Sequence, residues 1–282
     1  MIYVFTALYC EAKPIIQYSG LKRQPDINGF QYFANDSVNL VITGTGSINA
    51  AVGVASLCSL HTPDSGDILV NAGICGTGNS SLKKGTPVLC NKIIDLCTYK
   101  TYYPDMLFKH SFIEGTVETS PVPVTCRSEK YDENSDIVVT DMEASGIFLA
   151  GERFFQPHQM FFFKIVSDYL AGEEISSDMV TELVSVNVEH VAGWLTQIHD
   201  GLPGKPSDFS EEEKALLNQI SDAMKLTVSM QHQLNHLMRY YKIQHGGFAD
   251  KLINFIGENL KEPCISKNEG KKYFDLLKRE FV

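Results

Sequence analysis

Residues 160–166 read Met-Phe-Phe-Phe-Lys-Ile-Val, apolar at every position but one. A strand with one wet face alternates apolar and polar residues. An unbroken run suits a strand covered on both faces, the habit of sheets flanked by helices. The first two hundred residues repeat the theme. Residues 2–8, 37–43 (SVNLVIT), 67–72 (DILVNA, halted at Gly73), 86–95 (TPVLCNKIID) and 136–140 (DIVVT) read as further strands. Helical patterns lie between them: 48–60 with Ser47 placed to cap it, Asp141 to about Phe155, and Ser177 to about Ile198. This alternation predicts an α/β fold, a three-layer sandwich around a mixed, mostly parallel sheet. Ligands of such folds sit beyond the carboxyl ends of the strands.

The pattern stops at Gly201-Leu202-Pro203-Gly204-Lys205-Pro206, which cannot continue a helix. That segment separates a first domain, 1–202, from a C-terminal helical appendage, 205–282. Over 209–243, Leu216, Leu217, Ile220, Met224, Leu234, Leu237, Met238 and Tyr241 have mostly helical spacing and predict one long helix. Ser210 before Glu211-Glu212-Glu213 caps it, and Gly246-Gly247 end it. Shorter helices follow over 248–260 and 268–281. A helix of about 35 residues exceeds the ~10–14 usual in globular proteins, and its apolar stripe needs a cover. The appendage therefore reads as an interaction module whose stripe packs on the chain's own core, pairs across a homodimer or docks a protein partner.

The formal charge of −10 argues against nucleic-acid partners, which call for a basic stripe. The acidity is uneven: Lys and Arg number 12 and Asp and Glu 11 after residue 204, against 12 and 23 before it. No apolar run nears the ~20 residues of a membrane span, so no membrane partner is expected. Met1-Ile2-Tyr3-Val4-Phe5 reads as a first strand rather than a signal peptide. Seven cysteines, with no Cys-x-x-Cys pair, read as reduced thiols of a cytoplasmic protein.

Gly44-Thr45-Gly46-Ser47-Ile48-Asn49 lacks the third glycine of a dinucleotide fingerprint, and Asp67 opens a strand instead of ending one. No cofactor is expected. His232 and His236 stand four apart on a predicted helix, but Gln233 replaces the glutamate of a zinc protease and no third ligand is near. No metal is expected either. Three carboxylates near strand ends carry more: Glu11, Glu143 and Asp168. Any one alone is ordinarily a cap or a solvated group. Three at strand ends of one sheet project into one crevice.

Six segments extend this reading: Ala7–Glu11, Thr43–Ala51, Val70–Gly76, Leu82–Val88, Thr140–Ser145 and Val166–Asp168. In composition and order they resemble the type I nucleoside phosphorylase superfamily, and within it the methylthioadenosine/S-adenosylhomocysteine nucleosidases. The resemblance covers about 1–200; nothing in 205–282 shares it. It implies hydrolysis of a purine nucleoside, a small-molecule substrate, with Glu11 as general base for water and Asp168 as proton donor to purine N7. Ser167 would orient Asp168, Glu143 would hold the ribose hydroxyls, and Met142 would pack under the sugar. Leu8, Thr45, Ile74, Cys126 and Arg127 would complete the substrate pocket, with Tyr99, Tyr102 and Tyr103 near the 5′ end. Arg127 reads equally as a contact to a 6-oxo group or as a surface ion pair. The resemblance further implies a homodimer through the first domain.

Two departures bear on chemistry. The Gly-Asp-Pro-x-Arg segment with which the phosphorylases grip phosphate is absent, and Ile74 stands where the family frequently has Ser or Thr. An isoleucine offers phosphate no donor, which favours water. Phosphorolysis, and a nucleoside-binding protein without turnover, stay open as alternatives. The stretch 112–139 looks shorter than in the adenosine-specific nucleosidases, so base and 5′ substituent stay open too.

Overall fold

A computed structural model describes residues 1–125, 136–201, 209–260 and 263–281. The chain forms two compact units, Met1–Pro203 and Gly204–Val282. In chain order the first begins with β1 (Ile2–Thr6), α1 (Tyr9–Ser19), β2 (Lys22–Ile27), β3 (Phe30–Ala34), β4 (Val38–Ile42) and α2 (Ser47–Leu60). Next come β5 (Ile68–Thr77), β6 (Pro87–Asp95), β7 (Thr101–Tyr102) and β8 (Ile113–Thr119). It closes with β9 (Val138–Asp141), α3 (Ala144–Gly151), β10 (Met160–Asp168) and α4 (Ser177–Gly201).

These strands make one mixed sheet with helices on both faces, the α/β class expected. Val54 and Leu57 of α2 and Ile147 and Phe148 of α3 pack with Phe162 on one face. Ala12 of α1 and Leu195 and Ile198 of α4 pack with Phe161 and Phe163 on the other. The side chains of the apolar run 160–166 thus alternate between two cores, which is why it needs no polar face.

Strand β5 organises the sheet. Its first half pairs in parallel with β1 (Ile2 opposite Ile68) and, on its other edge, with β10 (Met160 opposite Leu69). Where β1 ends, β9 takes its place, Thr140 opposite Gly76. Strand β10 continues to β6, β6 to β8, and β8 to β9, so these five strands close on themselves. The carboxyl ends of β1, β4, β5, β9 and β10 therefore meet around one opening.

The structure corrects several local expectations. Strand β5 does not stop at Gly73 but runs to Thr77. Helix α3 ends at Gly151, short of Phe155. Ser47 is not the cap of α2; Gly46 is, with φ of 99° and no side-chain cap. Helix α1 holds Pro14, which cannot bond the Cys10 carbonyl as an i−4 partner. Thr181 of α4 reaches that carbonyl instead, 3.2 Å away, sharing its one proton with Ser177 O. The sequence exception is thus met by a tertiary contact.

In the second unit the single long helix over 209–243 is two: α5 (Glu211–Ala223) and α6 (Val228–His245), followed by α7 (Ala249–Asn259) and α8 (Lys267–Glu280). Lys225, at φ 49°, turns the chain between them. The turn is clasped by the segment entering α8: Cys264 N–H donates to Ala223 O at 2.8 Å, and Lys225 Nζ to Ile265 O at 2.9 Å. A Cβ on Gly270 would meet Met224 O at 1.7 Å, so only glycine admits this approach. Ser210 caps α5, accepting from Glu213 N–H at 3.1 Å. The apolar stripe is covered within the bundle, one of the covers open to it, where Leu217, Met224, Leu234 and Met238 pack with Leu252, Phe274 and Leu277.

Candidate active site

At the carboxyl ends of the strands lies a cavity of about 290 Å³. Eight of the residues singled out in the sequence line it: Leu8, Glu11, Thr45, Ile74, Met142, Glu143, Ser167 and Asp168. Cys126 and Arg127 lie outside the described residues. So do the side chains of His232 and His236 on α6. Tyr99, Tyr102 and Tyr103 are not at the cavity: Tyr102 stacks on Phe148 with centroids 5.1 Å apart, and Tyr99 and Tyr103 are exposed.

Glu11 occupies the first turn of α1 and is buried. Its Oε2 accepts the N–H groups of Ala7 and Leu8, both at 2.9 Å, as a third-position glutamate does when it reaches back to a helix start. Its Oε1 accepts the Ile74 N–H of β5 at 2.9 Å. A Cβ on Gly73 would sit 2.8 Å from Oε1, so this glycine makes room for the carboxylate. Burial pushes Glu11 above the ordinary carboxylate range, opposed by the three N–H groups and by Lys164.

Glu143 directly precedes α3. Its Oε1 accepts the Gly46 N–H at 2.8 Å, so the glycine turn holds a side chain of the protein itself. Burial first, and then the neighbouring Asp141, push its pKa from 4.5 up to about 7, against Lys164 and the Gly46 N–H. A carboxyl raised on folding stabilises the fold below its unfolded pKa, and that contribution disappears as pH rises through about 7. Glu143→Gln, which cannot ionise, is expected to gain up to about 3 kcal/mol over wild type at pH 8 and nothing at pH 4. Thermal melts at both pH values check this; an equal difference at the two would rule out Glu143 as the titrating group.

Asp168 closes β10, just past an irregularity in its pairing with β5 between Val166 and Asp168. Its Oδ1 accepts the Leu170 N–H at 2.9 Å, and Oδ2 lies 2.8 Å from Ser167 Oγ. A Cβ on Gly76 would be 2.9 Å from Oδ1, so Gly73 and Gly76 of β5 let Glu11 and Asp168 come close to that strand.

Lys164 and Asp141 were not singled out in the sequence. Lys164 Nζ lies 2.6 Å from Asp141 Oδ2, with side chains 1% and 0% exposed. Asp141 also accepts from Ala144 N–H and from the Thr119 hydroxyl, each at 2.8 Å. Burial alone would pull Lys164 down; Asp141, Glu143 and Glu11 override it and hold the ammonium charged. The signal was available: one lysine in a run buried on both faces needs a partner carboxylate.

No protein-family model matches the sequence, and no curated protein does. Solved structures do match in fold. The 5′-methylthioadenosine/S-adenosylhomocysteine nucleosidase of Neisseria meningitidis, in complex with methylthio-immucillin-A, is similar at a TM-score of 0.55 and 17% identity, covering 70% of this chain and 98% of that one. A mutant of the Helicobacter pylori enzyme with 5′-methylthioadenosine in its active site gives 0.54 and 11%, covering 70% and 98%. Futalosine hydrolase of Helicobacter pylori gives 0.52 and 15%, covering 71% and 97%. This chain has the nucleosidase fold. The comparison spans nearly the whole of each such nucleosidase and leaves part of this chain over.

Proposed function

We propose that this protein hydrolyses the N-glycosidic bond of a purine nucleoside, an adenosine-type thionucleoside or a related compound. The observation that carries this reading is the convergence of Glu11, Glu143 and Asp168 on one cavity at the strand ends of a nucleosidase fold. Glycosidic cleavage needs an acid for the leaving group, a base for water and a partner for the oxocarbenium-like sugar. Asp168 serves as the acid. Ser167 Oγ lies 3.0 Å from Cys75 O and 2.8 Å from Asp168 Oδ2. A hydroxyl has one proton and a carbonyl only accepts. That proton goes to Asp168 Oδ2 or to Cys75 O, and in the second case Ser167 Oγ accepts from a protonated Asp168, so Ser167 can orient the acid in the state a donor to purine N7 requires. Glu11, raised toward working pH by burial, is suited to take a proton from water. Glu143 keeps one oxygen for the ribose hydroxyls.

Water is favoured over phosphate as nucleophile. The described lining holds Glu11, Asp141, Glu143, Asp168 and Glu173, and Ile74 presents no hydroxyl. A phosphate dianion would meet acidic groups where it needs charged donors. The deciding experiment is release of free base from a nucleoside panel with and without phosphate, run beside Glu11→Gln. The variant is expected to lose about 10²–10⁴-fold in base release and to bind nucleoside within a few-fold of wild type by calorimetry. Its amide faces one of the N–H donors, at a stability cost of about 1–3 kcal/mol. Base release that requires phosphate would establish the phosphorylase instead. Nucleoside binding without release would establish a binding protein.

The same reading includes a homodimer. Helix α2 has no charged residue, and its outer face shows Ile48 and Val52, 79% and 48% exposed, near a close crossing with α3, where a Cβ on Gly146 would meet Ser47 O at 2.0 Å. An uncharged apolar face of this kind fits a second copy of itself. Val52→Lys is expected to convert dimer to monomer in light scattering; a monomeric wild type would end the dimer assignment.

A further inference from the structure

Glu11 borders a second cavity, of about 120 Å³, between the sheet and helices α1 and α4. Its walls are apolar: Val70, Ala72 and Phe163 from the sheet, Ile15 from α1, Val188 and Val191 from α4. Close-packed interiors leave few voids larger than a water molecule. A void of about 150 Å³ lined by such side chains stays dry and takes benzene. We propose that this cavity is a binding site for a small uncharged molecule with a hydrocarbon body of about six carbons. It is distinct from the carboxylate cavity and owes nothing to the activity proposed above.

The polar groups at its edge define the ligand class. Both Glu11 oxygens are engaged by backbone N–H groups, and the Asn187 amide donates to Gly85 O and Leu183 O, each at 2.9 Å. Neither has an N–H donor left for an anion, and what Glu11 keeps is lone pairs that only accept. Glu11 at the wall, with no basic side chain among the described lining residues, opposes a carboxylate ligand. A fatty-acid anion is therefore disfavoured and a neutral molecule accepted. Tyr18 and Ser19, at the carboxyl end of α1, also line the cavity, and Tyr18 is half exposed. This is where the cavity reaches solvent and where a single hydroxyl on the ligand would be hydrated.

The test is a titration of the full-length, methyl-labelled protein at pH 8 with 1-hexanol and, separately, with hexanoate, followed by NMR. Hexanol is expected to shift the methyls of Val70, Val188 and Val191 saturably, and hexanoate to bind at least tenfold more weakly. Ala192→Leu fills the cavity from α4, and Ala72→Ile fills it from the sheet. Each is expected to weaken hexanol binding at least tenfold, and the α4 variant also to raise the melting temperature. If one variant does not fold, the other still reads the site. Shifts that never saturate, or hexanol affinity unchanged in a folded cavity-filled variant, would overturn the site. Hexanoate binding as tightly as hexanol would overturn the ligand class. Because binding is read directly, neither result depends on whether the protein releases base.

Discussion

Asp168→Asn is expected to lower base release by about 10²–10⁴-fold, the usual cost of losing one positioned acid, with the melting temperature nearly unchanged. The geometry predicts both halves. The Asn oxygen can keep the Leu170 N–H bond that Oδ1 now accepts at 2.9 Å. The amide nitrogen takes the place of Oδ2 and donates to Ser167 Oγ, leaving that hydroxyl free to serve Cys75 O. An asparagine thus copies the hydrogen bonding of a protonated aspartate and has no proton to give to the leaving purine. The measurement is kcat on the substrate found in the nucleoside panel, with a melt alongside. A variant that keeps the wild-type rate would remove Asp168 from the reaction.

The strands at the heart of the site were legible because burial on both faces writes a simple pattern: apolar runs ending at polar residues. Asp168 and Glu143 could be located from that pattern alone. Glu11 was found as a carboxylate after a strand, but not as part of a helix. Pro14 argues against a helix in the sequence, and its loss of one bond is answered only by Thr181, far along the chain. Strands β2 and β8 were missed for a different reason. Lys22–Ile27 carries four exposed positions and Ile113–Thr119 begins with two, so neither has the apolar run that marks a buried strand. The break between α5 and α6 is tertiary as well, fixed by Cys264, Ile265 and Gly270 against a turn that has no proline or glycine of its own. Local pattern finds what local burial dictates and loses what a distant segment completes.

Lys164→Met is expected to destabilise the first unit by about 3–5 kcal/mol, the cost of removing one partner from a buried ion pair. Methionine fills similar volume in a strand that is otherwise apolar, so the loss is electrostatic and not a cavity. It leaves Asp141 fully buried without its cation, and Glu143 and Glu11 without the positive charge that opposes their burial. The Ala144 N–H and Thr119 hydroxyl still bind Asp141, but two neutral donors do not balance a charge in a dry site. The deficit has a direction in pH. Without Lys164, which opposes the raising of Glu11 and Glu143 by burial, those two carboxyls bind protons more tightly in the folded state. The folded protein then holds more protons than the unfolded chain, and its stability falls as pH rises. The deficit against wild type should therefore shrink toward pH 5 and grow toward pH 8. Urea unfolding followed by Trp194 fluorescence reads the first unit specifically, since this is the one tryptophan in the chain and it packs in that unit's core. Asp141→Asn in the same background is expected to restore much of the loss, because it removes the stranded charge, and the two changes should be strongly non-additive. A deficit below about 1 kcal/mol, or additive effects, would mean that Lys164 and Asp141 do not form the pair that sets the charge balance beneath Glu11 and Glu143.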